Sequence, residues 1–313
     1  MSALLQFDGL GRAVLPARPL HLAIGMFDGV HLGHKSVIES ALHSARRSGG
    51  LAGVLTFWPH PSALFRPEHP TPLLMPREMK RAVLATLGID FVIEQNFSRE
   101  FAGTDAREFV PLLQRSLPHL AAVYVGENWR FGRGRTGDVA LLIAEARPHG
   151  VEVFSAARLN HNGAPISSSR IRELLAAGAM AEANALLGYS YFASGTVQPG
   201  HRLGRTLGFP TLNLPWAPEA RPRYGVYAVT VTTPAGTVVN GVANYGLRPT
   251  VGTTTEPLLE VHLLGEIPAD AGGFLTVNWL QFLRAEQKFA SLEDLKAQIA
   301  RDRDAAREYL ASR

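Results

Sequence analysis

Apolar and polar positions alternate along the first half of the chain in a way that predicts strands separated by helices. Short apolar runs predict five strands, over Leu20–Ile24, Leu51–Phe57, Phe91–Glu94, Ala121–Val125 and Val151–Phe154. Segments with helical spacing lie between these runs, near residues 32–47, 77–87, 105–116 and 138–147. This order predicts an α/β domain with a parallel sheet, in which ligands bind at the carboxyl ends of the strands.

The pattern changes after Gly188. Five further strand-like runs follow without intervening helical segments, over Gly195–Val197, Gly225–Val231, Val238–Ala243, Leu258–Leu264 and Leu275–Phe282. A last helix should begin at Ser291, because Ser291 and Asp294 have the spacing of a capping box. We therefore predict a small antiparallel β-barrel with a C-terminal helix, and two domains that comprise residues 1–185 and 186–313.

Composition narrows the class of protein. The chain has 313 residues, a length that favours two domains. Its hydrophobic content of 46% is typical of a globular protein. Its net charge is +4, but 31 basic and 27 acidic residues are interspersed, so we do not expect nucleic-acid binding. The absence of cysteine excludes disulfides and thiolate metal sites. No apolar run reaches the roughly 18 residues that span a bilayer and no signal pattern precedes the domain, so we expect a cytoplasmic protein without a membrane partner.

The turn between the first predicted strand and helix carries two histidines. It reads Gly25-Met-Phe-Asp-Gly-Val-His-Leu-Gly-His34. His31 and His34 are three residues apart and should share one face of the first helical turn. The glycines keep bulk away, so a phosphate could approach backbone N–H groups at the helix start. A bare pair of histidines is more often an ordinary surface pair, but this setting favours a phosphate site.

Three other segments of the first domain have the residue types of a ligand site. Thr56–Pro61 follows a strand, and its two prolines fix a rigid turn that could also serve packing alone. Residues 126–138 combine four glycines and three arginines with Trp129 and Phe131, which could cover a planar ring. Ile166–Arg172 has three serines at a helix start, and one of them is explained by helix capping.

Two segments of the second domain stand out. Gly200–Asn213 is rich in glycine and ends in an extended stretch, in which Thr211 and Asn213 should point to one side. Their oxygens suit a hard cation such as Mg²⁺. On the later predicted strand, Glu260 and His262 alternate with apolar residues, an arrangement that also fits a solvated strand face.

The motif His31-Leu-Gly-His34 resembles the signature of the nucleotidyltransferase superfamily. The longer string around it resembles the N-terminal module of prokaryotic bifunctional FAD synthetases, which join riboflavin kinase to FMN adenylyltransferase. The resemblance implies a Rossmann-like nucleotidyltransferase domain in which His31 and His34 stabilise the transition state of adenylyl transfer. It further implies that flavin is bound by Phe57, Trp129 and Phe131. It implies a nucleotide site made of Gly25, Phe27, Asp28, Gly33, Asn128, Ser167, Ser168, Ser169 and Arg170.

The second domain resembles riboflavin kinase through G-R-T-L-G-F-P-T-x-N and through the strand that carries Glu260. The resemblance implies that Glu260 is the general base on the ribityl 5′-hydroxyl and that Thr211 and Asn213 bind Mg²⁺. It implies a kinase nucleotide site of Gly204, Arg205, Gly208, Thr211 and Asn213. One departure is the segment 265–274, which lacks the acidic turn common in the family and leaves the strength of kinase activity open.

The resemblance spans roughly residues 20–310 and implies a bifunctional enzyme that converts riboflavin to FMN and FMN to FAD, with ATP as co-substrate and Mg²⁺ as cofactor. The expected partners are riboflavin, FMN and ATP, and weak self-association stays open. Two alternatives remain at this point. The barrel could bind flavin without kinase activity, or the chain could be a non-catalytic flavin or nucleotide sensor with a basic RNA-binding face.

Overall fold

A computed structural model describes residues 4–199, 208–249 and 255–313 of the chain. The chain divides into two compact units, Met1–Ser168 and Ser169–Arg313, and each has its own sheet. The domain boundary expected between residues 185 and 186 lies inside the second unit and stays a prediction.

The first unit is built on a six-stranded sheet in which every neighbouring pair is parallel. The strands are β1 (Leu5–Phe7), β2 (Leu20–Ile24), β3 (Leu51–Trp58), β4 (Phe91–Asn96), β5 (Leu120–Gly126) and β6 (Glu152–Ala156), in the spatial order β1-β4-β3-β2-β5-β6. All five residues of β2 are buried. A central parallel strand is covered on both faces, which is why β2 is mostly apolar, with His21 as its one polar residue, rather than alternating.

Helices connect these strands. They are α1 (Leu32–Ser48), α2 (Pro61–Phe65), α3 (Arg77–Ala85), α4 (Arg99–Ala102), α5 (Phe109–Ser116) and α6 (Val139–Ala146). A hairpin of β7 (Asn160–His161) and β8 (Ala164–Pro165) follows, and then α7 (Ser168–Ala177) and α8 (Met180–Leu187). α1 begins at the carboxyl end of β2, so the histidine motif lies at the edge of the sheet where α/β proteins bind ligands.

The second unit holds a six-stranded antiparallel sheet. Its strands are β9 (Phe192–Thr196), β10 (Leu212–Pro215), β11 (Gly225–Thr232), β12 (Val238–Pro249), β13 (Thr255–Leu263) and β14 (Phe274–Ala285), in the order β10-β13-β12-β11-β14-β9. Gln198, just after β9, forms a bridge to Asn213 of β10, so the two edges approach each other and the sheet nearly closes into a barrel. The helix α9 (Leu292–Ala311) follows β14.

Strand alternation separates the two faces of the barrel wall. Tyr227, Tyr245 and Trp279 are fully buried and pack edge to face, with ring centroids 4.6 Å and 5.3 Å from that of Trp279. Their neighbours in sequence point the other way: Val226 forms an apolar cluster with Ala306 of α9. The C-terminal helix is therefore held by the outer face of the barrel.

The fold class predicted from the sequence is confirmed: a parallel α/β domain precedes an antiparallel barrel with a C-terminal helix. The boundaries were less well predicted. The first barrel strand, expected at Gly195–Val197, is observed at Phe192–Thr196. Some elements were not predicted from the sequence because they are short and lack a long periodic pattern: β1, α2, α4, the β7–β8 hairpin and α8.

Candidate active sites

The turn that leads into α1 has an unusual backbone. Phe27 and Val30 have φ values of 50° and 37°, and Gly29 between them has a φ of 85°. Positive φ at a bulky or β-branched residue is strained and persists only where the surroundings impose it. Such strain is found preferentially at ligand-binding and catalytic sites, so the turn is a candidate site on its backbone geometry alone.

Hydrogen bonds from distant residues hold this turn. The hydroxyl of Thr56 on β3 donates to the carbonyl of Met26 at 3.0 Å. The Asp28 carboxylate is buried and accepts from the backbone N–H of Leu74 at 2.9 Å. Ser168 donates from its hydroxyl to the Asp28 carbonyl at 2.8 Å. Asp28 and Ser168, both predicted to bind nucleotide, thus also have structural contacts of their own.

His31 and His34 lie together at the start of α1. His31 is the N-cap residue, and its Nδ1 accepts from the backbone N–H of His34 at 3.3 Å. The two rings stack, with centroids 3.6 Å apart and planes 15° from parallel. Gly33 makes this possible, because a Cβ on Gly33 would lie 3.2 Å from the His31 ring. The structure brings the predicted pair together, with His31 capping the helix rather than lying inside it.

Both rings are neutral at pH 7. Burial lowers the pKa of His31 to about 4. The pKa of His34 is well below its ordinary value because of burial first, and then because of the charges of His31 and Lys80. The Nδ1 atom of His34 is buried and has no hydrogen-bond partner in the described part of the chain. The pair therefore offers imidazole hydrogen-bonding groups at a helix start, without a permanent positive charge.

Phe27 packs against the ring of His34, and Gly25 leaves space for the Phe27 ring. A Cβ on Gly25 would lie 3.0 Å from the Phe27 ring, closer than ordinary van der Waals contact, so a larger residue would require this ring to shift. Phe27 is buried and meets His34 edge to face, with centroids 5.3 Å apart and an interplanar angle of 84°. Their nucleotide-binding role stays a prediction; the contacts show a packing role.

The aromatic residues expected at the flavin site are mostly buried. Trp129 and Phe131 stack with centroids 4.6 Å apart, and both pack on Phe109. Phe131 and Phe57 are buried in the core of the first unit, whereas Trp129 is half-buried. Asn128 is exposed and donates to the Glu127 carboxylate at 3.2 Å. In this structure Phe57 and Phe131 contribute to folding, and flavin binding by these aromatics stays a prediction.

The serine segment begins α7. Ser167 is half-buried and Ser169 is exposed. Arg170 donates to the Glu182 carboxylate at 2.6 Å, within the second unit. A phosphate role for Ser169 and Arg170 stays a prediction.

In the barrel, strand register places Glu260 between two asparagines. Asn213 of β10 is paired with Glu260 of β13 on one side, and Asn244 of β12 is paired with it on the other. Residues opposite each other on neighbouring strands have side chains on the same face, so the three polar side chains form a row across the sheet. Glu260 and Asn244 line a cavity of about 360 Å³.

One of the residues predicted to bind metal and nucleotide lines the same cavity, and a second is its neighbour on β10. Thr211 lines it, and Asn213 is buried, with an Oδ1 atom that has no hydrogen-bond partner among the described residues. His262 donates from Nδ1 to the carbonyl of Pro210 at 2.9 Å and so fixes the start of this extended segment. Gly208 has a φ of 87°. Gly204 and Arg205 lie outside the described residues.

An orphaned buried amide oxygen beside a hydroxyl and a carboxylate fits a hard cation that prefers oxygen ligands. The described residues contain no group of three or more His, Asp or Glu side chains that could hold a metal ion. This donor set therefore fits Mg²⁺ carried largely by substrate phosphates, with few protein ligands.

Residues that join α9 to the cavity were not predicted from the sequence. Arg284 of β14 donates to both carboxylate oxygens of Asp302, at 2.8 Å and 2.7 Å, and Asp302 is buried. Gln298 also donates to Asp302 at 2.8 Å. Arg284 and Asp302 line the cavity together with Ile299. Arg284 and Asp302 are 18 residues apart and belong to no local motif, so the sequence pattern does not indicate that they form an ion pair.

In comparisons with known proteins, different family models match the N-terminal and C-terminal parts of the chain. A family model described as FAD synthetase matches residues 16–170, and one described as riboflavin kinase matches residues 187–310. The bifunctional riboflavin kinase/FMN adenylyltransferase of Escherichia coli K12 is 39% identical over 288 residues, which cover 92% of each chain. That of Bacillus subtilis is 34% identical over 298 residues, covering 93% of this chain and 92% of the relative.

The overall structure is similar to a crystal structure described as a macrolide-efflux protein from Streptococcus pneumoniae. The TM-score is 0.87 and the sequences are 26% identical, over 98% of this chain and 99% of that one. Within the described ranges of this chain, no helix has the length and apolar character needed to cross a membrane.

Fold and sites together define the class: an FAD synthetase domain followed by a riboflavin kinase domain. The chain belongs to the bifunctional riboflavin kinase/FMN adenylyltransferase family.

Proposed function

We propose that this chain phosphorylates riboflavin with ATP to give FMN and ADP, and then adenylylates FMN with a second ATP to give FAD and pyrophosphate. One observation carries the proposal: a single chain holds both a stacked pair of histidines at a strained helix start and a strand-borne carboxylate in a polar cavity. The named activities of its relatives, at 34% to 39% identity over most of their length, support the same conclusion.

We assign the kinase step to the barrel cavity. Glu260 accepts the proton of the ribityl 5′-hydroxyl as that oxygen attacks the γ-phosphorus of ATP, and ADP leaves. The row of Asn213, Glu260 and Asn244 fixes the carboxylate at the wall of the cavity. Thr211 and Asn213 would hold Mg²⁺, which when bound neutralises charge on the phosphate oxygens. A positioned general base typically contributes about 10²–10⁴-fold to the rate.

We assign adenylyl transfer to the turn before α1. A phosphate oxygen of FMN attacks the α-phosphorus of ATP and pyrophosphate leaves, so no protein nucleophile is needed. Catalysis then depends on positioning the phosphates and stabilising the charge that develops on them. The neutral imidazoles of His31 and His34 and the backbone N–H groups of the helix start supply hydrogen bonds to these oxygens.

The alternative of a barrel that binds flavin without kinase activity is not favoured. Its support was the altered segment 265–274. In the structure, Asp270 of this segment accepts from the backbone N–H of Ala235 at 2.8 Å, in the turn between β11 and β12. The residues that line the described cavity, Glu260 among them, come from other segments of the barrel and from α9. A changed loop there leaves the proposed base and metal ligands in place.

Incubation of the protein with riboflavin, ATP and Mg²⁺, followed by chromatographic separation of flavins, tests the proposal. Both FMN and FAD should form. FAD formed only from supplied FMN would select the kinase-inactive alternative, and neither product would favour the sensor. Omission of Mg²⁺ should abolish both products. A cytoplasmic location, the absence of a nucleic-acid partner and weak self-association stay predictions.

A further inference from the structure

Lys80 is a buried cation that neither proposed reaction uses. It lies on α3, is 6% exposed, and its Nζ donates to the Thr56 hydroxyl at 3.1 Å. Within the described residues this Nζ atom has no other hydrogen bond and no ion pair. The buried carboxylate of Glu94 is bound by Arg77 and Arg81 instead.

Thr56 connects this ammonium to the histidine turn. Its hydroxyl is fully buried, accepts from Lys80 and donates to the carbonyl of Met26 at 3.0 Å. Met26 immediately precedes Phe27, the first residue of the turn with positive φ, and Val30 immediately precedes His31. A continuous chain of hydrogen bonds thus runs from Lys80 to the segment that places the histidine pair.

The electrostatic cost of this arrangement points to a function. A buried ammonium with a single neutral partner loses its hydration and regains little of it from one hydroxyl. Burial accordingly lowers the pKa of Lys80, while the carboxylates of Glu94 and Asp28 partly oppose this effect. The same positive charge is one of the causes of the lowered pKa of His34. An apolar side chain would fill the position at lower cost, so packing alone does not account for a lysine there.

We propose that Lys80 is a positioning residue for adenylyl transfer: through the Thr56 hydroxyl it holds the Met26–Val30 turn in its strained conformation and so sets the place of the His31 and His34 rings. This inference rests on the proposed function of the first unit. The role proposed for Lys80 is to set the geometry of the groups that contact the substrate, and misplacement of such groups by about 1 Å can cost on the order of 100-fold in rate.

The test uses the full chain with Lys80→Met, Thr56→Val and the double variant, and with Thr56→Ser as the conservative variant that keeps the hydroxyl. Lys296→Met, at an exposed lysine of α9, is the matched control. We expect kcat for FAD formation from FMN to fall by roughly 10- to 100-fold in Lys80→Met and Thr56→Val, with little change in KM for ATP or FMN. Thr56→Ser and Lys296→Met should retain the wild-type rate.

The double variant decides whether the two residues act as one unit. It should be no slower than either single variant, because both substitutions break the same chain of hydrogen bonds. Riboflavin phosphorylation, measured on the same samples, should be unchanged because it belongs to the second unit. Thermal unfolding of each variant, compared with the wild type, reports on folding of the first unit. Folded Thr56→Val or Lys80→Met protein with wild-type kcat, or losses that multiply in the double variant, would overturn the inference. Wild-type protein that makes no FAD from FMN would instead overturn the proposed function.

Discussion

The proton on His31 is placed by the helix that the residue caps. Its Nδ1 accepts from the backbone N–H of His34, and burial keeps the ring neutral. A neutral imidazole with an accepting Nδ1 carries its proton on Nε2. His31 can therefore cap α1 and present an N–H group to a phosphate oxygen at the same time. Capping and catalysis by this residue can be separated by substitution.

Replacement of His31 by Asn should remove the catalytic N–H and keep the cap, because the amide oxygen of Asn accepts well at an N-cap position. We expect FAD formation from FMN to fall at least about tenfold, equivalent to about 1.4 kcal/mol of transition-state stabilisation. Riboflavin phosphorylation and the unfolding temperature should change little. His31→Ala, which loses the cap as well, should also be less stable, by about 1 kcal/mol. A wild-type rate of FAD formation in His31→Asn would exclude His31 from the chemistry.

Glu260→Gln tests the proposed kinase base. The substitution keeps the shape and the row of polar side chains but removes the proton acceptor. We expect FMN formation to fall by about 10²-fold or more, while FAD formation from supplied FMN continues at the wild-type rate. Two other carboxylates line the cavity: Asp302, which is bound by Arg284, and Glu286, whose pKa is raised by burial. Loss of kinase activity in Glu286→Gln together with its retention in Glu260→Gln would transfer the role to Glu286.

Sequence patterns predicted which candidate residues lie together better than they predicted the surroundings of these residues. The histidine turn and the Glu260 strand have local signatures of spacing, and the structure places these residues as clusters. Aromatic residues have no such signature, because a ring that packs in the core and a ring that covers a ligand look alike in sequence. This is why the burial of Phe57 and Phe131 was not foreseen. Lys80 of α3 donates a hydrogen bond to Thr56 of β3, and this tertiary contact has no local signature in the sequence.

At the scale of elements, periodicity predicted the strands but not their pairing. A period of two places Glu260 and His262 on one strand face. The local sequence does not indicate that Asn213 and Asn244 are the cross-strand neighbours of Glu260. These pairings are long-range and depend on how the barrel closes. The same holds for α9: its start at Ser291 was predicted, whereas its attachment through Asp302 to Arg284 was not.

The attachment of α9 should matter for both stability and substrate binding. Asp302→Asn removes one charge of a buried, doubly hydrogen-bonded pair and should cost about 3 kcal/mol of unfolding free energy. KM for riboflavin should rise, because Asp302 and Ile299 of α9 line the cavity. Urea unfolding and initial-rate kinetics measure the two effects. Asp304→Asn is the control: Asp304 lies on the same helix, its ion pairs with Arg303 and Arg307 are exposed, and no measurable change is expected. Equal effects of the two substitutions would contradict this account.

At the scale of the whole molecule, the two units differ in fold and each contains one proposed site. The position at which the chain can be cut to separate the two units depends on the contacts of α8. Asn184 of α8 donates to the carbonyl of Trp279 and accepts from the backbone N–H of Tyr191, both at 2.7 Å. These contacts lie within the second unit, and a cut at residue 186 would remove Asn184 from the barrel.

We therefore predict that a fragment of residues 169–313 folds cooperatively and phosphorylates riboflavin, and that a fragment of residues 186–313 is less stable. Loss of two hydrogen bonds to buried groups should cost about 2 kcal/mol or more. Thermal unfolding and FMN formation with Mg-ATP compare the fragments. Equal stability would support the boundary at 185 and 186 predicted from the sequence. A folded 169–313 fragment without kinase activity would show that the first unit completes the second site.

The central claim is that one chain carries two separate sites that act in succession, with FMN as the product of one and the substrate of the other. The most direct measurement mixes two full-length variants, Glu260→Gln and the double variant His31→Asn, His34→Ala, with riboflavin and Mg-ATP. Alone, the first should make FMN, and hence FAD, about 10²-fold more slowly than the wild type or slower still, and the second should make FMN with little FAD. Together they should make FAD, because FMN released by the second protein is adenylylated by the first. Absence of FAD from the mixture, although Glu260→Gln converts supplied FMN, would contradict successive action of independent sites.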